Sequence, residues 1–71
     1  MADEIRAEMV ANVWKVVAST GDEVTEGDTL VILESMKMEM PVEAEDDGTV
    51  AEIRCQEGQS VSEGDTLVVL E

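Results

Sequence analysis

The sequence has no histidine and only one cysteine, Cys55, with one aromatic residue, Trp14. Without histidine, no Ser-His-Asp or Cys-His catalytic arrangement can form, and a Cys/His zinc site lacks its ligands. A lone cysteine excludes a disulfide framework and fits a reducing compartment. We therefore predict no metal site, and we expect the chain not to be an enzyme.

Positive charge is also scarce, since four Lys and Arg residues face eighteen Asp and Glu residues and give a net charge of −14. Nucleic acid and anionic membranes would repel such a chain, so we expect neither as a partner. Apolar runs reach only four residues, as at 30–33, whereas a membrane-spanning helix needs about 20. The N-terminus is acidic where a secretory signal would be basic. These features predict a cytoplasmic protein.

A duplication runs through the 71 residues. Residues 21–34 (GDEVTEGDTLVILE) and 58–71 (GQSVSEGDTLVVLE) are identical at ten of fourteen positions, 37 residues apart. Apolar residues continue to match at this offset toward the N-terminus. The pattern predicts one domain, 1–71, built from two copies, 3–34 and 40–71, that pack face to face about a pseudo-two-fold axis.

Each copy has the pattern of four short strands, because Val, Ile and Thr alternate with polar residues between Gly-containing turns. We predict strands near 3–8, 12–18, 23–25, 29–34, 38–44, 49–54, 60–62 and 66–70. Apolar positions depart from the two-residue period after Val13 and after Val50, which predicts a β-bulge at each. Cys55 should be a small buried residue matching Ala18, and Trp14 a partly buried packing residue.

Five residues, 35–39, belong to neither copy. They join the last strand of the first copy to the first strand of the second, so they should form a protruding hairpin turn. The segment holds Lys37, one of two lysines, between Met36 and Met38. A tight turn cannot bury both methionines, so we expect a surface that another protein recognises. The alternative is that Lys37 is an ordinary solvated residue and that the methionines fill gaps in the core.

Residues 34–39, Glu-Ser-Met-Lys-Met-Glu, resemble the biotin-attachment motif of biotin carboxyl carrier domains, usually Glu-Ala-Met-Lys-Met. The resemblance covers essentially the whole chain through its Gly, Val and Leu spacing, including Gly48-x-Val50. It implies an all-β, hammerhead-like fold: a flattened β-barrel or sandwich of two four-stranded antiparallel sheets with pseudo-two-fold symmetry. Ser35 departs from the usual Ala, and Ala11 stands where the second copy has Gly48.

The resemblance also implies that a biotin protein ligase attaches biotin covalently to Lys37, with Met36, Met38, Ser35 and Glu34 serving the turn and ligase recognition. Biotin would then shuttle carboxylate between a biotin carboxylase and a carboxyltransferase. Because 71 residues contain no carboxylase, we expect a non-catalytic carrier subunit that acts in trans and is a monomer in isolation. Two alternatives stay open: a lipoyl carrier, against which the paired methionines argue, and an unmodified interaction module.

Overall fold

The computed structural model describes residues 3–71, so residues 1–2 of the predicted domain lie outside the described residues. The described residues form eight strands and no helix. The strands are β1 (Asp3–Arg6), β2 (Ala11–Val16), β3 (Glu23–Val24), β4 (Thr29–Ser35), β5 (Met38–Glu43), β6 (Gly48–Ile53), β7 (Ser60–Val61) and β8 (Thr66–Leu70). All eight overlap the strands predicted from the sequence.

Two four-stranded antiparallel sheets make up the fold, with strand orders β1-β8-β6-β3 and β5-β4-β2-β7. The predicted fold class is therefore confirmed. Each sheet takes two strands from each copy of the repeat. Strand β3 of the first copy pairs with β6 of the second copy, and β7 of the second copy pairs with β2 of the first. The copies are thus interleaved, and neither forms a sheet of its own.

The pseudo-two-fold symmetry extends to individual hydrogen bonds. The amide of Gly21 donates to the carbonyl of Val50 at 2.8 Å, and 37 residues along the amide of Gly58 donates to the carbonyl of Val13 at 2.8 Å. Both bonds cross from one copy to the other. A turn of each copy is therefore held by a strand of its partner copy, which makes folding of the two copies mutually dependent.

Both predicted bulges are present. In the β2–β4 pair the register shifts between Val13 and Lys15, and in the β6–β8 pair it shifts between Val50 and Glu52. Trp14 retains 48% of its accessible surface, so it is partly buried, as predicted, with about half of its side chain facing solvent. A bulge turns two consecutive side chains to the same face, so Trp14 and Lys15 both point outward from the sheet.

The core lies between the sheets and takes nine buried residues from the first copy and seven from the second. Seven pairs of buried residues stand 37 positions apart: Ala7 and Ala44, Val13 and Val50, Ala18 and Cys55, Val24 and Val61, Leu30 and Leu67, Val31 and Val68, Leu33 and Leu70. No polar or charged side chain is buried among residues 3–71. The predicted burial of Cys55 is confirmed, and this burial raises the pKa of its thiol.

Candidate functional site: the β4–β5 hairpin

Strands β4 and β5 are joined by a two-residue turn. Ser35 ends β4 directly opposite Met38, the first residue of β5, so only Met36 and Lys37 lie in the turn. Their φ angles are 52° and 67°, both in the left-handed region. Two consecutive left-handed residues define a type I′ turn, whose twist matches that of the flanking strands. Lys37 therefore occupies the tip of a well-defined hairpin.

This turn is strained, because type I′ turns normally carry Asn-Gly or Gly-Gly. A left-handed conformation costs an ordinary L-residue about 1–2 kcal/mol, and here both Met36 and Lys37 adopt it. The ladder of β4 and β5, which runs from Ser35 opposite Met38 back to Thr29 opposite Glu43, holds the turn in place. Sequence reasoning did not detect the strain, since no glycine or asparagine marks the turn.

The side chains of the turn face solvent. Met36 retains 91% of its accessible surface and Met38 63%, so neither methionine fills the core. Lys37 is exposed, while Ser35 and Glu34 are half-buried at the end of β4. The hairpin thus brings together all five residues that the motif singled out.

The Lys37 ammonium is free of ion pairs within residues 3–71. The two ion pairs found there join Arg6 to Glu4, at 3.5 Å, and Arg54 to Glu52. An exposed amine without a fixed counterion is available to a partner protein.

Just behind the turn, Glu34 of β4 lies directly opposite Glu39 of β5. Like charges at directly opposite positions destabilise an antiparallel pair. This acidic pair therefore does not serve the stability of the hairpin. It places negative charge next to the turn, where an approaching partner would meet it.

The described residues contain no group of three or more His, Cys, Asp or Glu side chains able to hold a metal ion. Within the same range, no helix has the length and apolar character needed to cross a membrane. The hairpin presents the primary amine of Lys37 at the end of the β4–β5 ladder.

Comparison with known proteins identifies the family. Residues 3–70 match the biotin/lipoyl family described as "Biotin-requiring enzyme". The chain is similar to the biotinylated protein TB7.3 homolog of Mycobacterium leprae, at 55% identity over 53 residues and 75% of each chain. It is also similar to the biotin/lipoyl attachment protein of Bacillus subtilis, at 44% identity over 50 residues, 70% of this chain and 68% of that one.

Among solved structures, the crystal structure of Kluyveromyces lactis urea carboxylase matches the whole of this chain with a TM-score of 0.94 and 38% identity. The matching region is 6% of that longer chain. The present chain belongs to the family of biotin-requiring enzymes, as a domain of the biotin carboxyl carrier type. The resemblance drawn from the sequence is thereby confirmed, and a domain of this type is a carrier that does not itself catalyse a reaction.

Proposed function

We propose that this chain is a biotin carboxyl carrier protein in which a biotin protein ligase attaches biotin covalently to Lys37. The observation that carries the proposal is the two-residue turn, which holds Lys37 at its tip between the exposed side chains of Met36 and Met38. Family membership supports it, because the family is one of biotin-requiring proteins.

The residues around Lys37 fit such a group. An amide bond between Nζ and the carboxyl carbon of biotin replaces an exposed cation that has no ion pair among residues 3–71. The arm would leave the turn without displacing any core side chain. The ammonium must first lose a proton, and Nζ then attacks the carbonyl carbon of an activated biotinyl-adenylate, whose acyl–phosphate bond breaks to release AMP. We assign the deprotonation and the activation of biotin to the ligase.

When attached, biotin supplies a ureido nitrogen that accepts and releases carboxylate. The contribution of this chain is mechanical: the β4–β5 ladder holds the attachment point while the exposed turn leaves the arm free. We propose that a biotin carboxylase and a carboxyltransferase use the carrier in trans. Support comes from the close structural match to part of a urea carboxylase.

The proposal includes the organisation of the chain. Residues 1–71 act as one attachment domain, duplicated as 3–34 and 40–71 with the hairpin at 35–39, and the isolated domain is a monomer. Its place of action is the cytoplasm, as the single cysteine suggests. Size-exclusion chromatography with light scattering tests the monomer, and cell fractionation tests the location.

Intact mass and peptide mapping of protein purified from its native host test the modification. We expect one biotinyl group per chain, on Lys37 and none on Lys15, which lies within the ladder of β2 and β4. The variant Lys37→Arg keeps the charge but should take up no biotin. A lipoyl mass on Lys37 would replace the proposal with the lipoyl alternative, and an unmodified chain would favour the interaction module.

A further inference from the structure

The outer face of the sheet that carries the hairpin bears an apolar row beside it. Register places Lys15, Ile32 and Pro41 side by side across β2, β4 and β5, and the bulge adds Trp14 next to Lys15. Trp14 and Pro41 are exposed and Ile32 is half-buried. We name these four residues the Trp14 face. Ile32 lies three positions before Ser35, about 10 Å along the strand.

The pseudo-two-fold equivalent of this face has a different chemistry. The residues 37 positions away lie in the same arrangement on the other sheet, with Glu52, Val69 and Glu4 across β6, β8 and β1 and Ala51 at the bulge. Both rows cover the same kind of buried ladder. Ala51 there corresponds to Trp14, and Glu4 corresponds to Pro41. Glu4 has partners within the domain, because it accepts a hydrogen bond from Thr66 and pairs with Arg6. Trp14 instead retains 48% of its accessible surface, and exposed apolar surface of this kind marks contact with another molecule.

The charges next to the Trp14 face indicate what kind of partner surface would complement it. The next outward-facing row toward the turn contains Glu34 opposite Glu39, and the chain carries a net charge of −14. A complementary surface is therefore apolar where it meets Trp14 and basic where it approaches the hairpin.

The position of the face indicates which partner it serves. An enzyme that acts on Nζ of Lys37 must bring its active site to the turn itself, whereas an enzyme that acts at the end of a long arm need not touch the domain there. A specific interface covers about 800 Å² on each partner, or about a sixth of the 4622 Å² surface of this chain. Centred on Lys37, a footprint of that area extends about 16 Å and includes the Trp14 face.

We propose that the biotin protein ligase docks on the Trp14 face, with Trp14 as an anchor of the contact and with basic side chains of the ligase opposite Glu34 and Glu39. The inference rests on the proposed function, because it assigns a docking surface to the enzyme that modifies Lys37. Tryptophan is among the residue types that most often dominate the binding energy of an interface. The contact acts on recognition of the carrier and not on the chemistry at Nζ.

The test is the steady-state rate of biotin incorporation into this chain by a purified biotin protein ligase. The variants Trp14→Ala and Pro41→Glu introduce the residues that the other sheet holds at the equivalent positions, so the strand backbone is compatible with each of them. We expect each to raise KM for the carrier about tenfold or more with kcat unchanged. Trp14→Phe keeps an aromatic ring, so its KM should stay close to the wild-type value. Added salt should raise the wild-type KM, since the acidic pair faces basic groups.

The matched control is Ala51→Trp, which places a tryptophan at the equivalent bulge of the opposite sheet and should leave KM unchanged. Denaturation midpoints establish that every variant is folded. Values of KM within twofold of wild type for Trp14→Ala and Pro41→Glu would overturn the docking inference and leave biotinylation of Lys37 standing. An equal rise in Ala51→Trp would also overturn it. A wild-type chain that takes no biotin on Lys37 would overturn both this inference and the proposed function.

Discussion

Relief of the strain in the hairpin turn should stabilise the protein while removing its attachment site. Lys37 adopts a φ of 67°, a conformation that costs an ordinary residue about 1–2 kcal/mol and glycine almost nothing. The side chain is exposed and has no ion pair among residues 3–71, so Lys37→Gly loses little packing. Greater freedom of glycine in the unfolded chain offsets about 0.4–1 kcal/mol. We expect Lys37→Gly to stabilise the fold by about 0.5–1 kcal/mol.

Thermal and urea denaturation of the unmodified protein measure this change. For a domain of this size, 1 kcal/mol raises Tm by about 4–8 °C. Lys37→Ala serves as the control, because it removes the same side chain but keeps the strained backbone and should bring no gain. The reverse change, Gly27→Ala, places a side chain at a φ of 93° where its Cβ meets no atom within 4 Å. Its loss combines the same left-handed backbone cost with the same unfolded-chain offset, so we expect about 0.5–1 kcal/mol with no contribution from side-chain contacts.

A midpoint for Lys37→Gly that does not exceed that of Lys37→Ala would refute the reasoning, since the two variants differ only in the backbone term at this position. A gain for Lys37→Gly would show that stability is sacrificed where the proposed function requires a lysine, a pattern common at functional sites.

Three further predictions address the exposed methionines, the buried thiol and a close backbone contact. Met36→Ala and Met38→Ala should each change the free energy of unfolding by less than about 0.5 kcal/mol while lowering biotin incorporation. A loss of about 2–5 kcal/mol, measured by urea titration, would instead indicate that the methionines pack in the core. Cys55 should react slowly with a thiol reagent in buffer and rapidly in denaturant, and equal rates would contradict its burial. Burial raises the pKa of the Cys55 thiol, so the contribution of this thiol to stability is complete below its pKa in the unfolded chain. That contribution declines as pH rises toward the pKa of the thiol in the folded protein. Denaturation midpoints measured against pH should show a smaller decline for Cys55→Ala. Gly48→Ala would bring Cβ to 2.9 Å from the backbone oxygen of Glu71 and should lower stability by about 1–3 kcal/mol, whereas an unchanged Tm would show that β6 relaxes.

The duplication allows each residue to be compared with its equivalent in the other copy. Positions 37 residues apart have nearly the same backbone environment, down to matched hydrogen bonds such as those of Gly21 and Gly58. A residue type shared by both copies is therefore explained by the fold. A residue type confined to one copy needs its own explanation, which for Gly48 against Ala11 is a close backbone contact. For the exposed Trp14 against Ala51 we assign it to docking of a partner.

Local patterns in the sequence determined the strands, the bulges after Val13 and Val50, the burial of Cys55 and the isolation of residues 35–39. The alternation of side chains has a period of two, and its interruption identifies those two bulges. Register also shifts between Ile5 and Arg6 and between Thr29 and Val31, which the sequence pattern did not predict. Strand ends were less well predicted. For example, β1 ends at Arg6 and not at residue 8, because the amide of Ala7 donates to the carbonyl of Asp65 in a turn of the other copy.

Only the tertiary structure decided which strands pair, how the Lys37 turn is built and where Trp14 lies. Pairing of β2 with β7 and of β3 with β6 joins residues far apart in sequence, and the repeat is equally compatible with copies that form separate sheets. The left-handed turn at Met36 and Lys37 follows from the ladder behind it, which overrides the preferences of both residues. The pairing of β2 with β4 also decides that Trp14 points outward beside Ile32 and Pro41, a neighbourhood that the sequence does not reveal.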